Sequence, residues 1–290
     1  MKKADSTLRD KYVQRVILLE GFANLVVLII KAIVGFSTGS MAVLADAVHS
    51  LTDISNNIVA WIVVRQSAMP ADREHPYGHR KFETLAVFGL ASLLVVLSFE
   101  LASNALSQEE AVVESEPWAL GLMVFVLIAN IAISSVQRYW ANRLNSDLLL
   151  ADASHTLADV LITLVVIIGW QLSAMGYIWL DRLCALGVAG FVFYLAYSLF
   201  KRVIPVLVDQ SAVDPALLSK TIQRVPGVCH VVRVRSRWIG SSCAVDMIIT
   251  VDSALSTEAS HKIANNIEKL IEEQFQVSDI SIHIEPERIN

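Results

Sequence analysis

The sequence predicts a membrane-embedded bundle of six α-helices followed by a small cytoplasmic α+β domain with a ferredoxin-like αββαβ order. Three observations predict it. The 290-residue chain is 54% hydrophobic and 18% charged, against about 25% charged residues in an ordinary soluble domain. The apolar excess is confined to the first two thirds, in six runs each near the roughly 20 residues that cross a hydrocarbon core. From Leu207 onward the composition turns soluble and short alternating stretches replace the apolar runs. The boundary is placed at 208/209, giving a six-helix transmembrane domain over 1–208 and a small domain over 209–290.

The first span covers Val16–Phe36 and holds Glu20, Asn24 and Lys31, unusual for a lipid-facing helix. Four residues, Ser37 to Ser40, turn the chain into the second span, Met41–Val64, which contains Asp46, His49, Asp53, Asn56 and Asn57. A charged loop with two prolines, Arg65 to Lys81, precedes the third span, Phe82–Leu106. An acidic loop, Gln108–Pro117, leads to the fourth, Trp118–Tyr139, and short connections give the fifth, Leu148–Leu172, and the sixth, Leu180–Phe200. Basic residues gather before span one, between two and three, between four and five, and after six; the other side carries only Arg182, at a rim. The positive-inside rule therefore places both termini in the cytoplasm of a cell (inner) membrane. The basic N-terminus lacks an apolar core and a small-residue cleavage site, so no cleaved signal peptide is expected.

In the tail, Asp214-Pro215 opens a helix, as an acidic cap with proline at the first turn. His230–Trp238 and Ala244–Val251 alternate as strands around a turn at Ile239–Ser242. Ser256–Gln274 carries Ala259, Ile263, Ile267, Leu270 and Ile271 at helical spacing, and Asp279–Ile284 is a third strand. Cys184, Cys229 and Cys243 are odd in number and lack a CxxC spacing, which argues against a disulfide framework or zinc ribbon.

The chemistry lies in two matching phrases. His49 and Asp53, and again His155 and Asp159, stand four residues apart in separate spans. Four residues rise about 6 Å, roughly one turn, so each pair shares a helix face. A charge at mid-membrane costs about 2.5–3.5 kcal/mol on insertion scales and marks an ion path or an interhelical network. Two copies at similar depth favour the ion path. Two imidazoles and two carboxylates suit Zn2+, whereas Mg2+ and Ca2+ prefer oxygen alone; Fe2+, Co2+ and Ni2+ accept the same groups. Imidazole must be neutral to bind metal and takes a proton when empty, a physical basis for metal/proton exchange. Asp72, His75 and His79 form a second cluster within eight residues of loop, readable also as a solvated turn. Asp246, His261 and His283 in the tail form a third, which only folding could assemble. No Ser/His/Asp, phosphate-loop or HExxH pattern supports an enzyme.

These residues carry a resemblance over essentially the whole chain. GSMAVLADAVHSLTD (39–53), PADREHPYGHRKFE (70–83) and ADASHTLAD (151–159) resemble the cation diffusion facilitator family. The resemblance implies a homodimeric membrane transporter that exports a divalent metal, Zn2+ first and Fe2+ as the alternative, in exchange for H+. It implies a transport site of His49, Asp53, His155 and Asp159, a loop metal site of Asp72, His75 and His79, and a junction salt bridge between Lys81 and Asp209. It makes the tail a regulatory and dimerisation domain. Zinc exporters with a binuclear tail site carry histidines where this chain has Ile248 and near Val232. Asp246, His261 and His283 are more similar to the magnetosome branch, implying a weaker regulatory metal site. A metal-responsive membrane scaffold is the alternative from another class.

Overall fold

The computed structural model describes residues 3–38, 41–107, 117–174, 178–240, 242–275, 277 and 279–287. The side chains of 41–49, Asp46 and His49 among them, and nearly all of the acidic loop lie outside the described residues. The described elements begin with six long helices: α1 (Lys3–Thr38), α2 (Met41–Ser67), α3 (Lys81–Ser107), α4 (Pro117–Leu144), α5 (Asp147–Ala174) and α6 (Ile178–Leu207). Five of them, all but α2, are long and apolar enough to cross a membrane among the described residues. At 27 residues α2 has the length, but Asp53, Asn56 and Asn57 lower its hydropathy. Helix α1 begins at Lys3, well before the expected Val16. The apolar run marks a span; good helix formers such as Arg, Lys and Leu carry the helix past it.

The chain divides into two compact units, one of 2–70 with 82–203, the other of 71–81 with 204–290. The first unit is apolar outside. Leu19, Phe22, Phe99, Leu106 and Tyr194 stand exposed, while Glu20, Lys31, Asn57, Gln137 and Asp152 are buried. Lipid demands this inversion: apolar groups gain nothing by leaving hydrocarbon, and polar groups must find protein partners. A tight apolar layer of Ile17, Val64, Leu94, Leu149 and Leu199 holds five helices together. At its end, the Arg9 guanidinium donates to the Leu144 carbonyl over 3.0 Å and pairs with Glu83 Oε1 at 3.0 Å. A cation on the orphan carbonyls at the end of α4 completes that helix and joins it to α1 and α3.

The second unit has the expected αββαβ order: α7 (Pro215–Ile222), β1 (His230–Ile239), β2 (Ser242–Val251), α8 (Thr257–Phe275) and β3 (Asp279–Pro286). Asp214 caps α7 by accepting from the Ala216 N–H at 2.9 Å. The sheet order is β1-β2-β3, with β1 antiparallel and β3 parallel to β2. Val245, Met247 and Ile249 alternate into a core with Leu218, Ile222, Ile263, Ile267 and Ile271. Only glycine fits at 227, where φ is +94° and a Cβ would stand 2.5 Å from Ile263 Cδ1.

Truncating a fully buried residue of this core, Ile267→Ala, is expected to destabilise the unit by about 2–5 kcal/mol. Thermal unfolding in detergent, followed by circular dichroism, checks it; an unchanged transition refutes the core assignment.

Candidate metal centre

Helix α2 delivers Asp53, and α5 delivers His155 and Asp159 one turn apart. His155 Nε2 lies 3.6 Å from Asp53 Oδ1 and 3.9 Å from Asp159 Oδ2. One ligand atom from each lies within 4.8 Å of the others. Atoms about 2.0–2.2 Å from a tetrahedral ion stand about 3.4 Å from one another, so a small closure suffices to hold one. Asp53 Oδ1 is buried and accepts no hydrogen bond, the condition of a ligand atom awaiting a cation. His49 lies one turn earlier on α2, its side chain outside the described residues.

Two cavities meet at Asp53 and Asp159. A small one of about 20 Å³ runs past His155 to Glu20 and Asp152. A larger one of about 320 Å³ runs past Lys31, Ser50, Glu100 and Asn104, toward the ends of α1 and α3. Lys31 Nζ donates to Ser50 Oγ at 2.9 Å on its wall. The cluster thus has a large cavity on one side and a small one on the other.

The loop cluster is formed by local geometry. Asp72 Oδ1 accepts from the His75 N–H at 2.7 Å and the Glu74 N–H at 3.0 Å, an Asx turn that folds the chain back. Gly78, at φ +82°, closes the turn. The result puts Asp72 3.4 Å from His75 Nδ1 and 3.4 Å from His79 Nε2, three ligand atoms within 4.8 Å. The His75 backbone N–H, first, then the Glu74 N–H and the two imidazoles hold the Asp72 carboxyl below the usual aspartate range, outweighing desolvation, which raises it. Within the same unit the Arg237 guanidinium lies over the Tyr77 ring at 4.3 Å. Lys81 Nζ pairs with Asp209 Oδ1 at 2.8 Å, the expected salt bridge. A Cβ at Gly240 would meet Arg80 Cβ at 2.7 Å, so glycine lets loop and hairpin approach.

The tail set does not assemble in one chain. Asp246 alternates with the buried Val245 and Met247, so it faces away from α8, and it pairs with Arg235 at 3.5 Å. His283, opposite Ile248 in the neighbouring strand, shares that face and lies 3.6 Å from Glu285. His261 belongs to α8, on the other side of the sheet. The period of two along a strand separates residues that the resemblance grouped together. Gln137 and the Arg237–Tyr77 stack had no local signal in the sequence; Glu20 did, as a carboxylate in an apolar run.

Residues 17–208 match the cation efflux transmembrane domain. The chain belongs to the cation efflux, or cation diffusion facilitator, family. Residues 213–287 match the cytoplasmic domain of cation efflux proteins. Metal tolerance protein 2 of Oryza sativa subsp. japonica is 32% identical over 93% of this chain and 78% of its own length. The manganese efflux system protein MneS of Bacillus subtilis (strain 168) is 28% identical over 91% of this chain and 92% of its own. A solved C-terminal domain of MamM is 26% identical over 24% of this chain and 90% of that chain, with a TM-score of 0.24. The chain is therefore an integral membrane transporter for divalent metal efflux, a homodimer and not an enzyme.

Because the folded carboxyl of Asp72 is held low, its contribution to loop order is complete above the ordinary aspartate value and is lost as pH falls through the lowered one. Carboxyl-carbon NMR of the metal-free protein is expected to show Asp72 titrating below the same residue in the unfolded chain; an equal or higher midpoint refutes the Asx turn.

Proposed function

We propose that this chain exports Zn2+ from the cytoplasm in exchange for H+, with His49, Asp53, His155 and Asp159 as the carrier site. The observation that carries this reading is the convergence of Asp53, His155 and Asp159 from two helices inside an apolar bundle. A mixed imidazole and carboxylate set suits Zn2+. The same imidazole accepts a proton when the metal leaves, so the two cargoes exclude each other at one site. Both termini lie in the cytoplasm, on the distribution of basic residues. The transport domain covers 1–208, and 209–290 is the regulatory and dimerisation domain. Asp72, His75 and His79 form a second, loop-borne metal site, whose two imidazoles and one carboxylate leave room for a further ligand. Asp246 and His283 line the open sheet face; His261 joins them only if a partner subunit supplies it.

Mn2+ is the competing cargo. Asparagines at 24, 56 and 130 make the cavity wall oxygen-rich, which favours harder ions, and a relative is named for manganese efflux.

In proteoliposomes, Zn2+ flux is expected to accelerate under an opposing proton gradient. Asp53→Ala and Asp159→Ala are each expected to cut it at least about tenfold while the dimer stays intact, since losing even an outer-shell partner costs about 10–100-fold. Full flux in both variants refutes the site; flux indifferent to the gradient refutes exchange; preference for Mn2+ in direct competition refutes zinc.

A further inference from the structure

The carrier cluster leaves unexplained a facing pair of buried carboxylates in the bundle. Glu20 on α1 and Asp152 on α5 are each 6% exposed and face each other within hydrogen-bond reach. Among the described residues no basic side chain pairs with either. Two amides close the group. Gln137 on α4, 1% exposed, donates from Nε2 to Asp152 Oδ2 at 3.3 Å. Asn57 on α2, 4% exposed, borders Glu20; its oxygen accepts from Asn24 Nδ2 at 3.1 Å, and its own Nδ2 is buried with no acceptor. Four different helices thus turn polar groups toward one point.

A structural network of this kind is normally fully hydrogen-bonded, because an unsatisfied polar atom in low dielectric is costly. Here Glu20 Oε2 and Gln137 Oε1 are buried with no hydrogen-bond donor. A single proton shared between the two carboxyls leaves one negative charge in low dielectric. A divalent cation does more: the two carboxylates neutralise it, and the unpartnered Gln137 oxygen adds a further oxygen ligand.

Position supplies the second argument. Asp152 lies about one turn nearer the start of α5 than His155, and Asn57 one turn past Asp53 toward the end of α2. The group therefore sits on the terminus side of the carrier cluster. Glu20, Asp152 and Asn57 line, with Asp53, His155 and Asp159, the cavity of about 20 Å³, room for about one water or ion. The wide cavity lies on the opposite side. An ion arriving from the terminus side passes Glu20 and Asp152 first.

We propose that Glu20 and Asp152, with the Gln137 amide oxygen, form a second, oxygen-only divalent-cation station that loads the Asp53/His155/Asp159 cluster. The proposal rests on the transporter reading for its direction, though not for its existence. An oxygen shell holds a transition metal less tightly than one containing imidazole, so an ion moves downhill from station to carrier.

The test counts ions. Full-length protein in detergent, carrying Asp72→Ala to silence the loop cluster, is titrated with Mn2+, and bound ion is read by electron paramagnetic resonance. Glu20→Gln and Asp152→Asn are each expected to remove one Mn2+ per protomer. The visible absorption of Co2+ held by His155 should stay unchanged. In proteoliposomes the metal concentration for half-maximal flux should rise at least about tenfold, in the range by which outer partners tune metal sites. An unchanged Mn2+ count in folded, dimeric variants overturns the station. So does joint loss of the Mn2+ and Co2+ signals, which makes the four residues part of the carrier. Where a variant does not fold, carbodiimide labelling of Glu20 in the unaltered protein decides: Mn2+ protection supports the station, and its absence overturns it. Failure of flux in the unaltered protein refutes transport alone, since the ion count is read without it.

Discussion

A carboxylate carried into the hydrocarbon core has to be met by protein or by a cation. Desolvation costs several kcal/mol per ion even after relaxation, and lipid offers no hydrogen bond in return. The helix bundle is arranged to satisfy that constraint. Asp53, His155 and Asp159 meet between α2 and α5, Asp152 meets Glu20 and Gln137, and the faces turned outward are left apolar. The buried polar groups are matched incompletely. Asp53 Oδ1, Glu20 Oε2, Gln137 Oε1 and the Asn57 Nδ2 donor have no hydrogen-bond partner, and on the proposed reading a cation meets the three oxygens. A carrier site must bind and also release, so complete internal satisfaction would work against its purpose.

The second unit shows how a loop becomes part of a domain. Residues 71–81 belong with the tail and not with the helices they connect. Three contacts achieve this: Lys81 with Asp209, Arg237 over Tyr77, and Arg80 against Gly240. The Lys81–Asp209 pair is half exposed, so by itself it contributes only about 0–1 kcal/mol. The stack and the glycine approach supply geometry as much as energy. Together they hold the Asp72/His75/His79 cluster in a unit whose sheet leaves one face without a covering helix.

The elements of the fold were legible because each rests on local pattern. Apolar runs gave six helices, Asp214-Pro215 gave the start of α7, and alternation gave three strands. Boundaries were less legible where helix and span diverge, as at the start of α1, since hydropathy reports lipid and not hydrogen bonding. Of the candidate clusters, His155/Asp159 and Asp72/His75/His79 were legible as groups because their members are close in sequence. The tail set of Asp246, His261 and His283 was not, because strand alternation and helix packing put its members on opposite sides of a sheet.

The sequence by itself determined the class of protein, the helices that carry charge, and the residue types able to hold a divalent metal; these depend on spacing along one chain and on the free energy of placing polar groups in lipid. Only the tertiary structure decided which charges meet. Glu20, Asp152, Gln137 and Asn57 come from four helices with no spacing to link them, and their convergence follows from how the helices pack. The matching phrases thus became a meeting of Asp53, His155 and Asp159, beside an adjoining carboxylate pair and unsatisfied oxygens that only three-dimensional packing could reveal.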